Sequence, residues 1–173
     1  PNGIVLADWK NPTGLPEEHG ILLNELHKKG KFIVGFAGAH GIANSLYAVI
    51  DAVALVEKQD VVLVLVGGGQ EKNNLIKYTQ KKKIDNVYFL PPVNKLAIPS
   101  LLKEMDVLYV GLQRQSLFRF GISPNKMFDY MMAAKPIIQA IEAGNNLVRE
   151  ADCGIDVEPD NKTEISKAIL NLK

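Results

Sequence analysis

The sequence is poor in the side chains that form disulfides and metal sites. It holds one cysteine, Cys153, and three histidines among 173 residues. A single cysteine cannot form a disulfide within the chain, and no Cys/His grouping has the spacing of a zinc site. We therefore expect a reduced protein that needs no metal.

The sequence also lacks an excess of charge and a membrane-spanning segment. Twenty basic and nineteen acidic residues give a formal net charge of +1, so the overall charge predicts no binding to nucleic acid. Apolar runs such as "VVLVLV" are far shorter than the ~20 residues of a membrane span. The opening "PNGIVLADW" has no basic head before an apolar run, so we predict no signal peptide. It also lacks a methionine, and we expect the chain to be a piece of a longer protein.

The sequence does contain six short runs that are apolar at almost every position. Such runs are typical of parallel strands covered by helices on both faces. The six are "KFIVGFAG" (31–38), "VVLVLVG" (61–67), "NVYFLPPV" (86–93), "DVLYVGL" (106–112), "PIIQAI" (136–141) and "GIDVEP" (154–159).

Segments with helical spacing lie between these runs. The segment 44–59 places five apolar residues on one stripe, and the segment 71–84 keeps three apolar residues on an otherwise polar surface. These residues are Leu46, Val49, Ile50, Val53 and Val56 in the first segment and Leu75, Ile76 and Ile84 in the second. Further helices are predicted at 98–105, within 119–136, at 145–152 and at 162–173.

Strand followed by helix, six times over, predicts an α/β fold: a Rossmann-like, doubly wound parallel sheet of six strands. Right-handed crossovers give the strand order 3-2-1-4-5-6, with a ligand at the carboxyl ends of the strands. We assign residues 31–173 to this domain. Residues 1–30, with one helix predicted in "PEEHGILLNELHKKG", are assigned to an N-terminal extension or linker.

The loops after the first three strands are rich in glycine and proline. Gly35, Gly38 and Gly41 follow the first strand at three-residue spacing, but they do not satisfy the G-x-G-x-x-G dinucleotide pattern. They form either a tight turn into a helix or a place where a ligand approaches the backbone, with His40 beside it. After the second strand, "GGGQEKNNL" lacks the G-K-[ST] of a P-loop, so nucleotide hydrolysis has no support.

The loop after the fourth strand is a local cationic region. Residues 107–128 hold Arg114, Arg119 and Lys126 and no acidic side chain. Ser123 is predicted as a helix N-cap, and Asn125 and Lys126 fall in the first turn, where free N–H groups and the helix dipole favour an anion. The alternatives are a solvated basic loop and a phosphate site.

The sequence resembles the C-terminal, donor-binding half of GT-B glycosyltransferases of family 4, also called glycosyltransferase group 1. The resemblance is strongest to the members that build bacterial surface polysaccharides from UDP-activated N-acetylated deoxy sugars. It covers nearly the whole chain, from the opening "PNGI" to the final strand and helix. The segments that carry it are "VVLVLVGGGQEKNNL", "DNVYFLPPVNKLAIPSLLKEMDVLYVGL", "PNKMFDYMMAAKPII" and "ADCGIDVEPDNKTEISKAI".

The resemblance implies a retaining transfer of a sugar from a nucleotide diphosphate to a glycan or lipid-linked acceptor, without a metal or other cofactor. It implies a cytoplasmic enzyme whose missing N-terminal half completes the cleft and carries any peripheral association with the inner face of the membrane. This chain alone is expected to be inactive. The base would lie against Val93 and Asn94, and Asp129 would accept hydrogen bonds from the ribose hydroxyls.

The loop pattern and the resemblance together give a set of candidate site residues. Lys126 and Asn125 are the catalytic candidates, because the lysine ammonium and the first-turn N–H groups would stabilise the departing diphosphate. The candidates for binding the donor are Gly38, His40, Gly41, Val93, Asn94, Arg119, Ser123 and Asp129.

The sequence departs from the family pattern at several positions. The acidic residue that contacts the donor sugar is replaced by Gly121, or by Phe118 in another alignment of the loop. The basic residues that follow the first strand in the family fall on Ala39 and Asn44. These departures leave Lys126, with Arg114 or Arg119, to bind the phosphates.

Two alternatives compete with this interpretation. A UDP-sugar 2-epimerase has a similar half but needs a cluster of catalytic carboxylates and histidines, which this half lacks. A flavodoxin-like nucleotide-binding module would have acidic residues at the ends of the first two strands, where this sequence has glycines.

Overall fold

The computed structural model describes residues 3–173, so Pro1 and Asn2 of the opening "PNGI" lie outside the described residues. Six parallel strands form one sheet in the order β3-β2-β1-β4-β5-β6. The strands are β1 Phe32–Ala37, β2 Val61–Val66, β3 Val87–Leu90, β4 Val107–Gly111, β5 Ile137–Ala140 and β6 Gly154–Asp156. The predicted six-stranded Rossmann-like sheet and its strand order are confirmed.

Helices cover both faces of the sheet. They are α1 Leu6–Lys10, α2 Glu17–Lys28, α3 Leu46–Leu55, α4 Lys72–Lys82, α5 Ile98–Lys103, α6 Asn125–Met132, α7 Leu147–Glu150 and α8 Lys162–Leu172. Helices α3, α4 and α8 contribute to the hydrophobic core on one face, and α2, α5, α6 and α7 contribute to the core on the other. None of the helices in the described range is long and apolar enough to cross a bilayer.

The central strands are apolar at every position because helices bury both of their faces. All six residues of β2 are buried, and the strand pairs in register with β1 from Phe32↔Val61 to Ala37↔Val66. All five predicted stripe residues of α3 and its C-terminal end are buried, as expected for a helix against a sheet. Of the three apolar residues predicted for the second helical segment, Leu75 is buried, while Ile76 and Ile84 are partly buried.

Residues 3–30 contain two helices, whereas the sequence predicted one. The predicted helix is α2, and its Leu23 and Leu26 belong to the hydrophobic core. The helix that the sequence did not predict is α1, which has five residues and none fully buried, so it leaves no amphipathic pattern. The segment packs against the sheet and its loops, and it is therefore an integral part of this fold.

Candidate functional site

The carboxyl ends of the strands carry two neighbouring depressions. The first, which we call the glycine cleft, has a volume of about 410 Å³ and lies beyond β1, β2 and β3. Its walls are Ala37, Gly38, Ala39, Val66, Gly67, Gly68, Pro92, Val93 and Ile98. The second, the arginine pocket, has a volume of about 420 Å³ and lies beyond β4 and β5. Its walls are Arg114, Gln115, Ser116, Arg119, Glu142, Ala143 and Gly144.

The floor of the glycine cleft is held by hydrogen bonds between two loops. The backbone N–H of His40 donates to the carbonyl of Gly68 at 2.7 Å, and the N–H of Glu71 donates to the carbonyl of His40 at 2.9 Å. A Cβ at Gly67, where φ is +150°, would lie only 1.9 Å from the carbonyl oxygen of Gly38. A residue without a side chain is therefore required where the two loops meet.

Lys72 links the backbone at the carboxyl ends of β2 and β3. Its Nζ donates to the carbonyl oxygens of Gly67 and Leu90, both at 2.8 Å. Burial lowers the pKa of this lysine. The sequence analysis missed Lys72, although a lysine in the first turn of a helix is the same unusual feature that indicated Lys126.

The side chain of His40 lies beneath the glycine cleft and is fully buried. Its ring sits between Phe36 and Phe89, with centroid distances of 6.1 Å and 6.3 Å. Neither ring nitrogen has a hydrogen-bond partner among residues 3–173. Burial, together with the charges of Lys72 and Lys126, lowers the pKa of His40 to about 4. The imidazole is therefore neutral near pH 7. It packs beneath the residues that line the glycine cleft and is not one of the lining residues.

The ammonium of Lys126 lies at the carboxyl end of β1. Its Nζ is 4.2 Å from the centroid of the Phe36 ring and donates to Oδ1 of Asn44 at 2.7 Å. A Cβ at Gly38 would lie 3.3 Å from this nitrogen, so the ammonium borders the glycine cleft. Burial lowers the pKa of Lys126 to about 8. No carboxylate within residues 3–173 forms an ion pair with it.

Helix α6 begins one residue later than predicted. Pro124, not Ser123, is the N-cap, because its ψ of 129° is extended, and Asn125 is the first helical residue. Asn125 and Lys126 are still in the first turn, where backbone N–H groups lack helical acceptors. The helix is fixed to β1 by Tyr130, whose hydroxyl accepts a hydrogen bond from the Ala37 N–H at 3.0 Å.

Lys126 borders the glycine cleft, whereas Asp129 lines a different depression. A third depression, the Asp129 pocket, has a volume of about 290 Å³ and is bordered by α1, the turn after β3 and α6. Its walls are Gly3, Ile4, Val5, Asp8, Trp9, Lys95, Asn125 and Asp129. Burial raises the pKa of Asp129, while a hydrogen bond from the Trp9 side chain and the charge of Lys95 oppose that rise.

The arginines of the basic loop are partly engaged. Arg114 donates to Glu142 at 2.7 Å and to Glu158 at 2.5 Å, so its charge is already paired. Arg119 lines the arginine pocket and lies 4.6 Å from the centroid of the Phe120 ring. Among the described residues that line this pocket, Glu142 is the one carboxylate, and the sequence analysis did not single it out.

The structure gives a physical reason for glycine at position 121. Gly121 has φ of +98°, and its N–H donates to the carbonyl of Phe118 at 2.9 Å to close a 3-10 turn, Ser116–Phe120. An acidic residue here would be strained, because side-chain-bearing residues rarely adopt that conformation. The backbone conformation at position 121 therefore disfavours the carboxylate that one of the two alignments of the family pattern places there.

Of the remaining predicted donor-binding residues, two line the glycine cleft and two lie in the turns that follow β1 and β3. Gly38 and Val93 line the glycine cleft. Asn94 lies next to it and caps the 3-10 turn Lys95–Ala97, with its Oδ1 accepting from the Ala97 N–H at 2.9 Å. Gly41 precedes the 3-10 turn Ile42–Asn44 after β1. No group of three or more His, Cys, Asp or Glu within residues 3–173 could hold a metal ion.

Comparisons with known proteins agree with this architecture. The family model "Glycosyl transferases group 1" matches residues 31–173, whereas no curated protein sequence matches the chain. Solved structures with the same fold are GT-B glycosyltransferases. HepE from Anabaena, in complex with UDP and glucose, is 21% identical with a TM-score of 0.68, over 98% of this chain and 45% of that one.

Two further structures show the same likeness. A glycosyltransferase from Rickettsia africae is 13% identical with a TM-score of 0.74, over 99% of this chain and 45% of that one. WaaG, a glycosyltransferase involved in lipopolysaccharide biosynthesis, is 17% identical with a TM-score of 0.71, over 99% of this chain and 46% of that one. The chain thus spans less than half the length of each of these structures. Because the family model matches most of the chain, the chain belongs to the glycosyl transferases group 1 family.

Proposed function

We propose that this chain is the nucleotide-sugar-binding half of a retaining glycosyltransferase. The complete enzyme transfers a sugar from a UDP-activated N-acetylated deoxy sugar to a polysaccharide or lipid-linked acceptor. The opposite wall of the cleft and the acceptor site belong to the N-terminal half of the enzyme. The enzyme works in the cytoplasm, at the inner face of the membrane. HepE in complex with UDP and glucose supports UDP as the nucleotide of the donor, and WaaG in lipopolysaccharide biosynthesis supports a glycan or lipid-linked acceptor.

The observation that carries this proposal is the environment of the Lys126 ammonium. It is a partly buried cation at the margin of the glycine cleft, bonded to a neutral amide oxygen and paired with no carboxylate among residues 3–173. Burying a charge without an opposite partner is costly. An anionic ligand in the cleft removes that cost, and a diphosphate does so while also meeting the N–H groups of the first turn of α6.

The mechanism follows from where negative charge develops. As the bond between the sugar and the diphosphate breaks, charge builds on the departing phosphate oxygen. The Lys126 ammonium and the N–H groups of Asn125 and Lys126 stabilise that charge without moving, because α6 is held to β1 through Tyr130. The lysine supplies a positive charge to the phosphate, so no metal is required for this step.

The nucleoside of the donor binds apart from the diphosphate. The base lies in the glycine cleft against Val93 and Asn94, where Pro92 and Ile98 supply apolar surface. Asp129 accepts hydrogen bonds from the ribose hydroxyls. A flavodoxin-like module is disfavoured because its strand order would be 2-1-3-4-5, whereas here β4 pairs with β1 and β1 with β2.

Calorimetric titration with UDP tests the proposal. Lys126→Ala should weaken UDP binding by about tenfold or more, because a hydrogen bond to a charged group is lost. Lys77→Ala is the matched control, since Lys77 is an exposed lysine on α4 away from the cleft. Equal affinities of Lys126→Ala and the wild type for UDP would contradict the role of Lys126.

The pH dependence of UDP binding gives a second test. In the free protein Lys126 loses its proton above a pKa of about 8. UDP should therefore bind with full affinity below pH 8 and with decreasing affinity above it. Lys126→Arg should remove this decline, because arginine stays protonated. A thermal-shift panel of UDP, GDP, FMN and NAD checks the ligand class, and stabilisation by FMN or NAD alone would contradict the proposal.

A further inference from the structure

We propose that Asn44, in the loop after β1, is a positioning residue that holds the Lys126 ammonium at the margin of the glycine cleft. This inference rests on the proposed function, in which Lys126 binds the diphosphate of the donor. Asn44 is not one of the residues that line the cleft. It acts on the ligand through the lysine.

The side-chain amide of Asn44 has one orientation that satisfies both of its neighbours. The carbonyl oxygen of Ala39 can only accept a hydrogen bond, and Nδ2 of Asn44 donates to it at 2.9 Å. The Lys126 ammonium can only donate, and Oδ1 of Asn44 accepts from its Nζ at 2.7 Å. Exchanging the two ends of the amide would break both bonds, so the oxygen is fixed towards the lysine.

The backbone on either side of Asn44 is held by neighbouring loops. The Gln113 N–H, after β4, donates to the carbonyl of Ala43 at 3.0 Å. Ser45 is buried, and its hydroxyl donates to the carboxylate of Asp160 in the loop after β6. Asn44 therefore lies between two residues that other parts of the fold hold in place.

The bond between Ser45 and Asp160 joins two residues with unusual backbone angles. Their φ values are +48° and +59°, in the left-handed region that side-chain-bearing residues rarely adopt. Such conformations persist where the surrounding structure fixes them. The Tyr109 hydroxyl adds a further bond, to the Ser45 carbonyl at 3.4 Å. The turn that carries Asn44 is thus fixed in one conformation.

The side chain of Lys126 needs such an anchor to stay at the cleft. A lysine side chain is long and flexible, so fixing its ammonium in one place costs rotamer entropy. The Phe36 ring, with its centroid 4.2 Å from Nζ, attracts the charge through its face. Oδ1 of Asn44 adds a directional bond. Because an ammonium has three N–H donors, two remain for a phosphate.

The neutral charge of Asn44 matters for binding an anion. A carboxylate at this place would form an ion pair with Lys126 and compete with the diphosphate. The amide oxygen orients the ammonium without cancelling its charge, and no carboxylate within residues 3–173 forms an ion pair with it. The ammonium is therefore held in place and still available to a ligand.

Two substitutions at position 44 should move the pH profile of UDP binding in opposite directions. In Asn44→Asp a carboxylate stabilises the charged lysine, so the decline in UDP affinity should begin about one pH unit higher than in the wild type. In Asn44→Ala the ammonium loses its acceptor, so the decline should begin at a lower pH. At about pH 6.5, Asn44→Ala should bind UDP about fivefold more weakly than the wild type, because one hydrogen bond is lost.

The other groups near Lys126 that can carry a proton do not produce such opposed shifts. Burial and the charges of Lys72 and Lys126 lower the pKa of His40 to about 4, so its ring stays neutral above pH 6.5. Burial raises the pKa of Tyr130, and Asp129 lines a different depression. Lys72 is bonded to backbone carbonyls and is present in every variant.

Asn171→Asp is the matched control, because it adds the same charge away from the site. Asn171 is exposed in the last turn of α8. Lys173, two residues later, donates to the carbonyl of Gln59 just before β2, at the opposite edge of the sheet. Calorimetric titration with UDP at a series of pH values should give this variant the wild-type profile. Wild-type profiles in both Asn44→Asp and Asn44→Ala would overturn the inference.

A ligand-free measurement keeps the test independent of UDP. Because Nζ of Lys126 lies near the face of the Phe36 ring, the protons on the adjacent Cε should resonate upfield of those of exposed lysines. Lys126→Arg identifies this resonance in the NMR spectrum. In Asn44→Ala the upfield displacement should shrink, since the ammonium is no longer held there. An unchanged displacement in folded Asn44→Ala would overturn the inference.

The two proposals fail in different ways. Wild-type protein that binds no UDP contradicts the proposed function and, with it, the role of Asn44 in binding. UDP binding that depends on Lys126 but keeps the wild-type pH profile in both variants at position 44 contradicts the role of Asn44 alone.

Discussion

The glycine cleft and the arginine pocket lie side by side on the same sheet edge, but they are built in opposite ways. The floor of the cleft is backbone, and its loops are joined by main-chain hydrogen bonds and by Lys72 bonded to two carbonyl oxygens. The walls of the pocket include three charged side chains, with Arg114 bridging Glu142 and Glu158 at the surface, and its tightly packed backbone is at Gly144, where a Cβ would lie 2.1 Å from the Arg119 carbonyl oxygen.

This difference indicates where the site can change. Where the two loops of the cleft meet, at Gly67 and Gly69, the floor tolerates no added atoms, because a Cβ meets main chain that cannot rotate away. A wall of exposed ion pairs can be altered without unfolding the protein, because each pair contributes little to stability. We therefore expect the nucleotide side of the site to be rigid and the sugar side to be adaptable.

The largest effect is expected at the floor of the glycine cleft. In Gly67→Ala the new Cβ would lie 1.9 Å from the Gly38 carbonyl oxygen, at a φ of +150° that side chains rarely adopt. The clash and the backbone strain should lower the free energy of unfolding by about 3 kcal/mol or more. Urea unfolding followed by circular dichroism measures this loss.

Gly68→Ala is the matched control for that variant. Position 68 is the next residue in the same loop, and a Cβ there has nothing within 4 Å. Its unfolding should stay close to that of the wild type. If Gly67→Ala were as stable as Gly68→Ala, the backbone floor would not be rigid and the comparison with the arginine pocket would fail.

An intermediate effect is expected from the buried imidazole under the cleft. The folded-state pKa of His40 is about 4 against an ordinary value of 6.5, so between these pH values the unfolded chain binds more protons than the folded protein. Stability should therefore fall as pH drops from 6.5 towards 4, by at most about 1.4 kcal/mol per pH unit from this group. His40→Leu should reduce this loss, because leucine fills the apolar space without titrating.

The measurement is urea unfolding of both proteins at pH 7 and at pH 4.5. Near pH 7, His40→Leu should be about as stable as the wild type, since both ring nitrogens lack partners among residues 3–173 and their removal breaks no bond there. His27→Gln, which replaces a histidine on the surface that contacts Glu104 at 3.1 Å, is the control for loss of a histidine outside the core. An unchanged pH dependence in His40→Leu would show that the ring is not held neutral.

The sequence predicted the sheet well because its signal is local and strong. Each central strand is apolar at every position, as in β2, and chain order with right-handed crossovers then gives the strand order. The glycines and Lys126 could be singled out for the same reason, because glycines at the end of a strand and a first-turn lysine after an acid-free loop are local patterns. These features need no knowledge of which residues meet in space.

The rest of the site depended on tertiary contacts that spacing does not define. Lys126 and Asp129 are three residues apart, yet Lys126 donates to Asn44 after β1 while Asp129 lines a pocket together with Trp9 of α1. His40 is a loop residue in the sequence, but the loop after β2 covers it. The start of α6 was misplaced by one residue because proline is compatible with both N1 and the N-cap, and ψ of Pro124 decides between them.

The smallest effect is expected in the arginine pocket. Arg114→Gln removes the bonds to Glu142 and Glu158, but all three side chains are at least half exposed, at 50%, 67% and 52%. Solvent and salt screen such pairs, so Tm should fall by no more than about 2 °C, and the difference should disappear in 1 M NaCl. Differential scanning calorimetry at low and high salt measures both values. A fall in Tm that matches that of Gly67→Ala and persists in high salt would mean that the pocket is as rigidly built as the cleft, because only a rigid wall fails to relax around a lost surface pair.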